Sequence, residues 1–235
     1  RLQDGEKIAA FVACRDFEAP GYIMMATRKG VIKKTELAAF SNPRPGGIIA
    51  VGVDDDDALI DAVLTTGADQ ILLSTRQGMA IRFEETDARP MGRTAFGVRG
   101  IDLEAGDDVV SLEVVREGGR VLTVCENGYG KGTPIDDYRV QTRGGKGIIN
   151  IKTEGRNGPV IGVKFLAGDE DVMLITGKGM IIRTRSTEIS TMGRNTQGVR
   201  LIQTDDGDQL VSVARLAEKD ESGDTTEPAA DPQAQ

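Results

Sequence analysis

At 235 residues, with 39% hydrophobic and 28% charged residues, the chain is long enough to bury a sizeable core and is globular in composition. The absence of histidine removes Ser-His and Cys-His nucleophilic catalysis and every His-ligated metal, and the two cysteines, Cys14 and Cys125, form no C-x-x-C pair. The net charge of -8 is unevenly spread: residues 218–235 hold six acids against Lys219, leaving 28 Lys and Arg against 31 acids elsewhere, so a basic face exists if the signs segregate.

Thirty glycines, no Trp and 4% aromatics point to many turns and to cores of Val, Ile and Leu, which favours an all-β architecture. No apolar run approaches a membrane span, and Arg1-Leu-Gln-Asp is no signal peptide. The missing initiator Met marks the chain as an expected fragment. Both cysteines lie in apolar surroundings, as expected of reduced core residues in a cytosolic protein.

In chain order, residues 1–17 read as the remnant of a repeat whose beginning is missing. The run Asp4 to Val12 matches later acidic or Gly-containing turns followed by alternating strands, with anchors Ile8, Ile60, Val110, Ile161 and Val211 separated by 52, 50, 51 and 50 positions. Four complete units follow, expected at about residues 18–66, 67–116, 117–167 and 168–217. Their first strands are Tyr22 to Thr27, Gln70 to Thr75, Arg120 to Cys125 and Asp171 to Thr176, each ending in a tight turn at Gly30, Gly78, Gly128 or Gly179. The second strands carry cations: Lys33 and Lys34, then Arg82, then Lys131, then Arg183 and Arg185.

After each hairpin comes a polar segment and an Arg-Gly loop: Arg44 to Gly47, Arg93 to Gly97, Gln141 to Gly147 and Arg194 to Gly198. The closing glycines are 50, 50 and 51 positions apart. Third strands are expected at Ile48 to Val53, Val98 to Leu103, Ile148 to Ile151 and Val199 to Ile202. Four strands per period of about 50 is the plan of a propeller blade, although neither W-D dipeptides nor a kelch signature is present. Asp54 to Asp57 is a poor calcium loop, lacking a Gly at the bend and a Glu at the twelfth position, and reads as a solvated turn. Residues 218–235 read as a disordered acidic tail.

The third loop, Gln141-Thr-Arg-Gly-Gly-Lys-Gly147, sets Arg143 and Lys146 around Gly144 and Gly145, a pair that lets backbone N–H groups approach an anion. It is not a P-loop, because Gly147 follows Lys146 where Ser or Thr would hold the metal. This loop resembles the Q-R-R-G-G-K-G box of the DNA gyrase A C-terminal domain family. Thr27 to Thr35 and Gly193 to Val199 are similar to that family's blade sequences, and the resemblance covers about residues 1–217. Two departures stand out: Thr142 replaces the first Arg of the box, and the family's box belongs to the first blade, whereas this loop lies in the third complete repeat. It is therefore a box-like cousin.

The resemblance implies a β-pinwheel with strands exchanged between neighbouring blades, here four complete blades plus a remnant, and duplex DNA wrapped around a basic rim. It implies membership of a type IIA topoisomerase in which the B subunit, together with a second A subunit, completes an A2B2 assembly, using ATP and Mg2+ elsewhere for negative supercoiling in the bacterial cytoplasm. This part of the chain is then non-catalytic, with no cofactor and no metal of its own. None of Tyr22, Tyr129 and Tyr138 is expected to cleave DNA. The expected phosphate contacts are Arg44, Arg93, Gln141, Arg143, Gly144, Gly145, Lys146 and Arg194 in the loops and Arg99 and Arg200 just beyond them. Lys33, Lys34, Arg82, Lys131, Arg183 and Arg185 extend the track along the hairpins. The competing reading of each lone Arg is a solvated or strand-edge charge. With no aromatic platform expected beside these cations, backbone contact with duplex is favoured over base stacking. Two alternatives stay open: the C-terminal domain of the topoisomerase IV counterpart, and a protein-interaction propeller that uses its acidic turns and binds no DNA.

Overall fold

The structure is a computed structural model and describes residues 5–216. Its strands are β1 (Tyr22–Thr27), β2 (Val31–Glu36), β3 (Leu59–Thr65), β4 (Gln70–Thr75), β5 (Met79–Glu84), β6 (Val98–Arg99), β7 (Val109–Val115), β8 (Arg120–Cys125), β9 (Tyr129–Pro134), β10 (Ile148–Ile149), β11 (Val160–Leu166), β12 (Asp171–Thr176), β13 (Ile181–Arg185), β14 (Val199–Arg200) and β15 (Leu210–Arg215). They form four antiparallel sheets with strand orders β3-β1-β2-β6, β10-β5-β4-β7, β11-β8-β9-β14 and β13-β12-β15. The fold is an all-β pinwheel of successive blades, as expected. The expected tail at 218–235 lies outside the described residues.

Strand exchange is visible in the pairing. Strand β6 belongs by sequence to the second repeat but pairs with β2 of the first; β10 likewise reaches back to β5, and β14 to β9. The third strands are shorter than the sequence pattern predicts, two residues each instead of four to six. The chain tucks under the preceding hairpin tip, where Gly100 and Ile101 N–H both donate to the Gly30 carbonyl, Asn150 and Ile151 to that of Gly78, and Leu201 and Ile202 to that of Gly128. The expected strand at Ile48 to Val53 does not form, because an exchanged strand needs the edge of a preceding sheet and the described residues contain none before β1. Residues 5–20 form no strand either, and Ile8 and Phe11 are exposed. Cys14 is only partly covered, so it is not the core residue expected; Cys125 is buried, and burial pushes its thiol up to about 12.

The core lies between blades. Ile71 and Leu73 of β4 pack with Met24 and Ile32 of the first blade, while the intervening Leu72 packs with Val121 and Tyr138 of the third. On β8 the alternation repeats, Val121 facing back and Leu122 and Val124 facing Val172 and Leu174 of the fourth blade. Period-two side-chain alternation therefore makes the central strands apolar on both faces. Each fully buried side chain of this size contributes about 1.5–3 kcal/mol, so the seams between blades hold the array together.

Candidate nucleic-acid interface

The second, third and fourth Arg-Gly loops are each joined to the segment that follows the loop of the preceding repeat, through backbone hydrogen bonds spaced by the repeat. Gly52 N–H donates to Ala95 O (3.0 Å), Asp102 N–H to Gly145 O (2.9 Å) and Lys152 N–H to Thr196 O (3.0 Å). The closing glycines make the close approach possible. Gly97, Gly147 and Gly198 sit at φ +112°, +76° and +76°, and a Cβ on any of them would lie 2.4 Å from a carbonyl oxygen of the preceding blade. Gly47 shares the left-handed φ but a Cβ there would have nothing within 4 Å, since no sheet precedes β1 among the described residues.

The loop arginines follow the same period. Arg93 Nη1 donates to Ile49 O (3.1 Å), Arg143 Nη1 to Arg99 O (2.9 Å) and Arg194 Nη1 to Ile149 O (2.7 Å), each reaching the exchanged segment of the repeat before. All three are half-buried; Arg44, Arg99, Arg200 and Lys146 are exposed. A guanidinium carries five donors, so one bond to a carbonyl leaves others for an outside acceptor. In the third loop Arg143 Nε also donates to Asp87 O, Gly144 N–H donates to Gly100 O, and the Gln141 Nε2 is buried without a partner. Lys146 is ion-paired to Glu104, whose hydrogen bond and charge raise the lysine pKa, and Arg99 pairs with Asp102 at 3.4 Å.

Four predicted contact residues are inside the protein, which corrects the expected hairpin track. Lys33, Lys34, Arg82 and Lys131 are 1%, 4%, 6% and 0% exposed, so no phosphate reaches them in this conformation. The physical cause is the second strand's place next to the following repeat. At the fourth position after the hairpin glycine, Lys34 Nζ donates to Glu85 O and pairs with the buried Glu85 carboxylate, and Arg82 Nη1 donates to Ile135 O and Tyr138 O at 3.0 Å each. At the third position, Lys33 Nζ donates to Ala50 O and Arg93 O, and Lys131 Nζ to Gly193 O and Arg194 O, fastening the loop of the next repeat. Burial, and then the charge of Arg93 or Arg194 beside each, lowers both lysines to about 8. Arg183 and Arg185 on β13 are exposed, Arg183 paired with Asp171.

One structural cation escapes sequence reasoning. The third blade has Gly132 at the fourth position, and Arg120 from the neighbouring strand takes over, its Nη1 donating to Thr191 Oγ1 (3.2 Å) and Ile189 O (3.4 Å). A Cβ on residue 132 would lie 3.4 Å from Arg120 Cδ, so that side chain runs directly against the glycine. The interruption of the Lys34, Arg82 series at Gly132 is the signal in the sequence. The expectation of no aromatic near the cations also needs correction: Tyr129 lies beneath Arg200, which donates to its hydroxyl at 2.8 Å.

The acidic turns have an internal use. Oδ1 of Asp57, Asp107 and Asp208 accepts the hairpin-tip N–H of Lys29, Gln77 and Lys178 at 2.9, 2.9 and 3.0 Å. Among the described residues no group of three or more Cys, Asp or Glu is placed to hold a metal, and no helix is long and apolar enough to cross a membrane.

Comparison with known proteins agrees with this geometry. The chain is 46% identical to the DNA gyrase A protein of Salmonella typhimurium over 217 residues, which is 92% of this chain and 25% of that protein, so it spans about a quarter of the length of such a relative. A solved gyrase A C-terminal domain superposes with a TM-score of 0.84 at 27% identity, over 92% of this chain and 72% of the other. A topoisomerase IV C-terminal domain superposes at 0.81 and 25% identity, over 86% and 64%. The model of the DNA gyrase C-terminal domain, a β-propeller, matches residues 21–66, 69–116, 120–166 and 170–217. With four successive matches covering most of its length, the chain belongs to the DNA gyrase C-terminal domain family.

Proposed function

We propose that this chain binds and wraps duplex DNA along the ridge of Arg-Gly loops. The observation that carries the reading is the regular placement of Arg93, Arg143 and Arg194, each held at the same point of successive blades by a carbonyl of the repeat before. Duplex DNA is a dense line of negative charge, and bending it around a protein needs cations at intervals along the path rather than one deep pocket. Arg44, Arg99, Lys146 and Arg200 flank these three and add charge to the path. Arg183 and Arg185 extend it on the fourth blade. Gln141, Gly144 and Gly145 act by shaping the third loop.

The wrapping module serves a DNA gyrase, presenting DNA to a cleavage gate in the A2B2 assembly, with ATP and Mg2+ used in other domains and in the B subunit, in the bacterial cytoplasm. The 46% identity to a gyrase A protein supports gyrase over topoisomerase IV. Use of Asp57, Asp107 and Asp208 to cap hairpin tips weighs against the acidic turns as a partner surface.

The test is binding of a duplex of about 140 base pairs, long enough to wrap on the nucleosome precedent, as a function of salt, with and without Glu218 to Gln235. Steep salt dependence, with tighter binding when the acidic segment is removed, is the expected result. Absence of binding by both at low salt would overturn the reading for this chain.

A further inference from the structure

The turn before the fourth strand differs in the third repeat. Repeats one, two and four end it at Asp57, Asp107 and Asp208, whereas repeat three reads Thr153-Glu-Gly-Arg-Asn-Gly158, with Asn157 at that register. Asn157 does not cap the hairpin tip with its side chain; its Nδ2 donates instead to Lys152 O (2.6 Å) and Gln197 O (2.7 Å). The left-handed glycine also moves. Gly106 and Gly207, at φ +78° and +70°, occupy the register of Arg156 in repeats two and four, while repeat three uses Gly155 at +69° and Gly158 at +66°. Position 156 is thereby released from the left-handed region and carries a long cationic side chain.

That side chain meets a second one. The Arg156 guanidinium lies 4.9 Å from the Tyr129 ring centroid and that of Arg200 5.4 Å from the same ring. Arg156 Nη2 donates to Gly198 O (3.1 Å), tying the turn to the fourth loop, and Arg200 Nη2 donates to the Tyr129 hydroxyl. Tyr129 and Arg200 are paired across β9 and β14, so the sheet sets their spacing. Neither arginine takes part in an ion pair among the described residues. Arg99, at the register of Arg200 two repeats earlier, has Asp102 three positions on; after Arg200 that position is Gln203.

We propose that Arg156, Arg200 and Tyr129 form a phosphodiester-binding site at the seam of the third and fourth blades, adjoining the loop ridge. This rests on the DNA-binding reading above. Two guanidiniums on one ring, neither paired with a carboxylate, concentrate positive charge at this seam, and a backbone phosphate taken by each offsets it. Planar guanidinium forks match phosphate oxygens in pairs, and the ring face stabilises both cations. The Tyr129 hydroxyl, having accepted a bond from Arg200, keeps its own proton to donate to a phosphate oxygen. The Gly198 bond makes the site continuous with the fourth loop, so one duplex can touch Arg194 and this cluster together.

The experiment compares the full chain with R156Q/R200Q on the same duplex over a range of salt, with melting by circular dichroism to verify the fold. The double variant is expected to flatten the log-log salt slope by about 0.9 for each phosphate it no longer neutralises, roughly 1.8 in all. K7Q/R116Q, which removes the same charge from exposed positions elsewhere, is expected to leave the slope unchanged, and Y129L to weaken binding several-fold with little change in slope. An R156Q/R200Q slope equal to that of the unmodified chain overturns the site and leaves the DNA-binding reading standing. So does an equal loss in K7Q/R116Q, which reduces the effect to bulk charge. Failure of the unmodified chain to bind duplex at low salt removes both.

Discussion

The seam between the second and third blades and the seam between the third and fourth solve one construction problem with opposite electrostatics. At the first, the loop 141–147 rests over Ile81, Arg143 is engaged largely by Asp87 and Arg99 backbone oxygens, Lys146 is paired with Glu104, and Arg99 with Asp102. At the second, the loop 194–198 is fastened from beneath by buried Lys131, and Arg156 and Arg200 lie on Tyr129 without carboxylate partners. The seam with the most suggestive motif is the more neutralised one. Availability of a cation is decided by its neighbours, which motif matching does not weigh.

The largest expected effect comes from breaking the first seam's internal fastening. Arg82→Ala takes the donor from the buried Tyr138 carbonyl and from Gln70 Oε1, and leaves the Ile135 carbonyl only the Tyr138 N–H; it should cost about 3 kcal/mol, given roughly 1–3 kcal/mol per unsatisfied buried group. For a domain of this size that corresponds to a melting point roughly 6–12 °C lower. A loss within about 1 °C would show that the bolt between blades contributes little.

Next comes the pH dependence of the second seam. Lys131 titrates near 8 in the folded chain against 10.5 in an unperturbed lysine. Between those values the unfolded chain holds more protons, so the lysine's contribution makes stability rise with pH from about 8 to 10.5, by an amount on the order of 3 kcal/mol. Lys33 acts in the same direction. Urea unfolding at several pH values should show a flatter profile for Lys131→Met than for the unmodified chain. Parallel profiles would mean that Lys131 titrates normally.

A smaller effect tests the motif itself. Arg143→Ala with Lys146→Ala should flatten the salt slope of duplex binding by at most about one unit, less than the double change at Arg156 and Arg200. An equal or larger loss at the motif would reverse the ranking of the seams. The smallest effect is expected from Glu104→Gln, which frees Lys146 and should steepen the salt slope by less than about one unit. No change would show that the exposed pair already opens when DNA binds.

How much was legible follows from what kind of information each feature carries. The hairpins β1–β2, β4–β5, β8–β9 and β12–β13 were readable because alternation, glycine turns and the period of about 50 residues are local signals. The loop glycines were readable as repeats, but their reason, a carbonyl 2.4 Å from where a Cβ would be, belongs to the neighbouring blade. Ile48 to Val53 has the same strand pattern as its counterparts yet pairs with nothing, since pairing depends on an edge that only another sheet supplies.

The same distinction separates the cations. Sequence alone determined the family, the all-β plan and the periodic Arg in each loop, because side-chain period and turn chemistry are written residue by residue. Tertiary structure decided which cations face water. Lys33, Lys34, Arg82 and Lys131 stand on second hairpin strands that look half-exposed in sequence, and the next repeat lies over them in the fold. Arg156 stands in a turn with no motif, and only the approach of β14 to β9 places Arg200 beside the same ring. A charge buried or freed by another repeat some fifty residues away leaves no local trace, because the energy that decides it is exchanged across the seam.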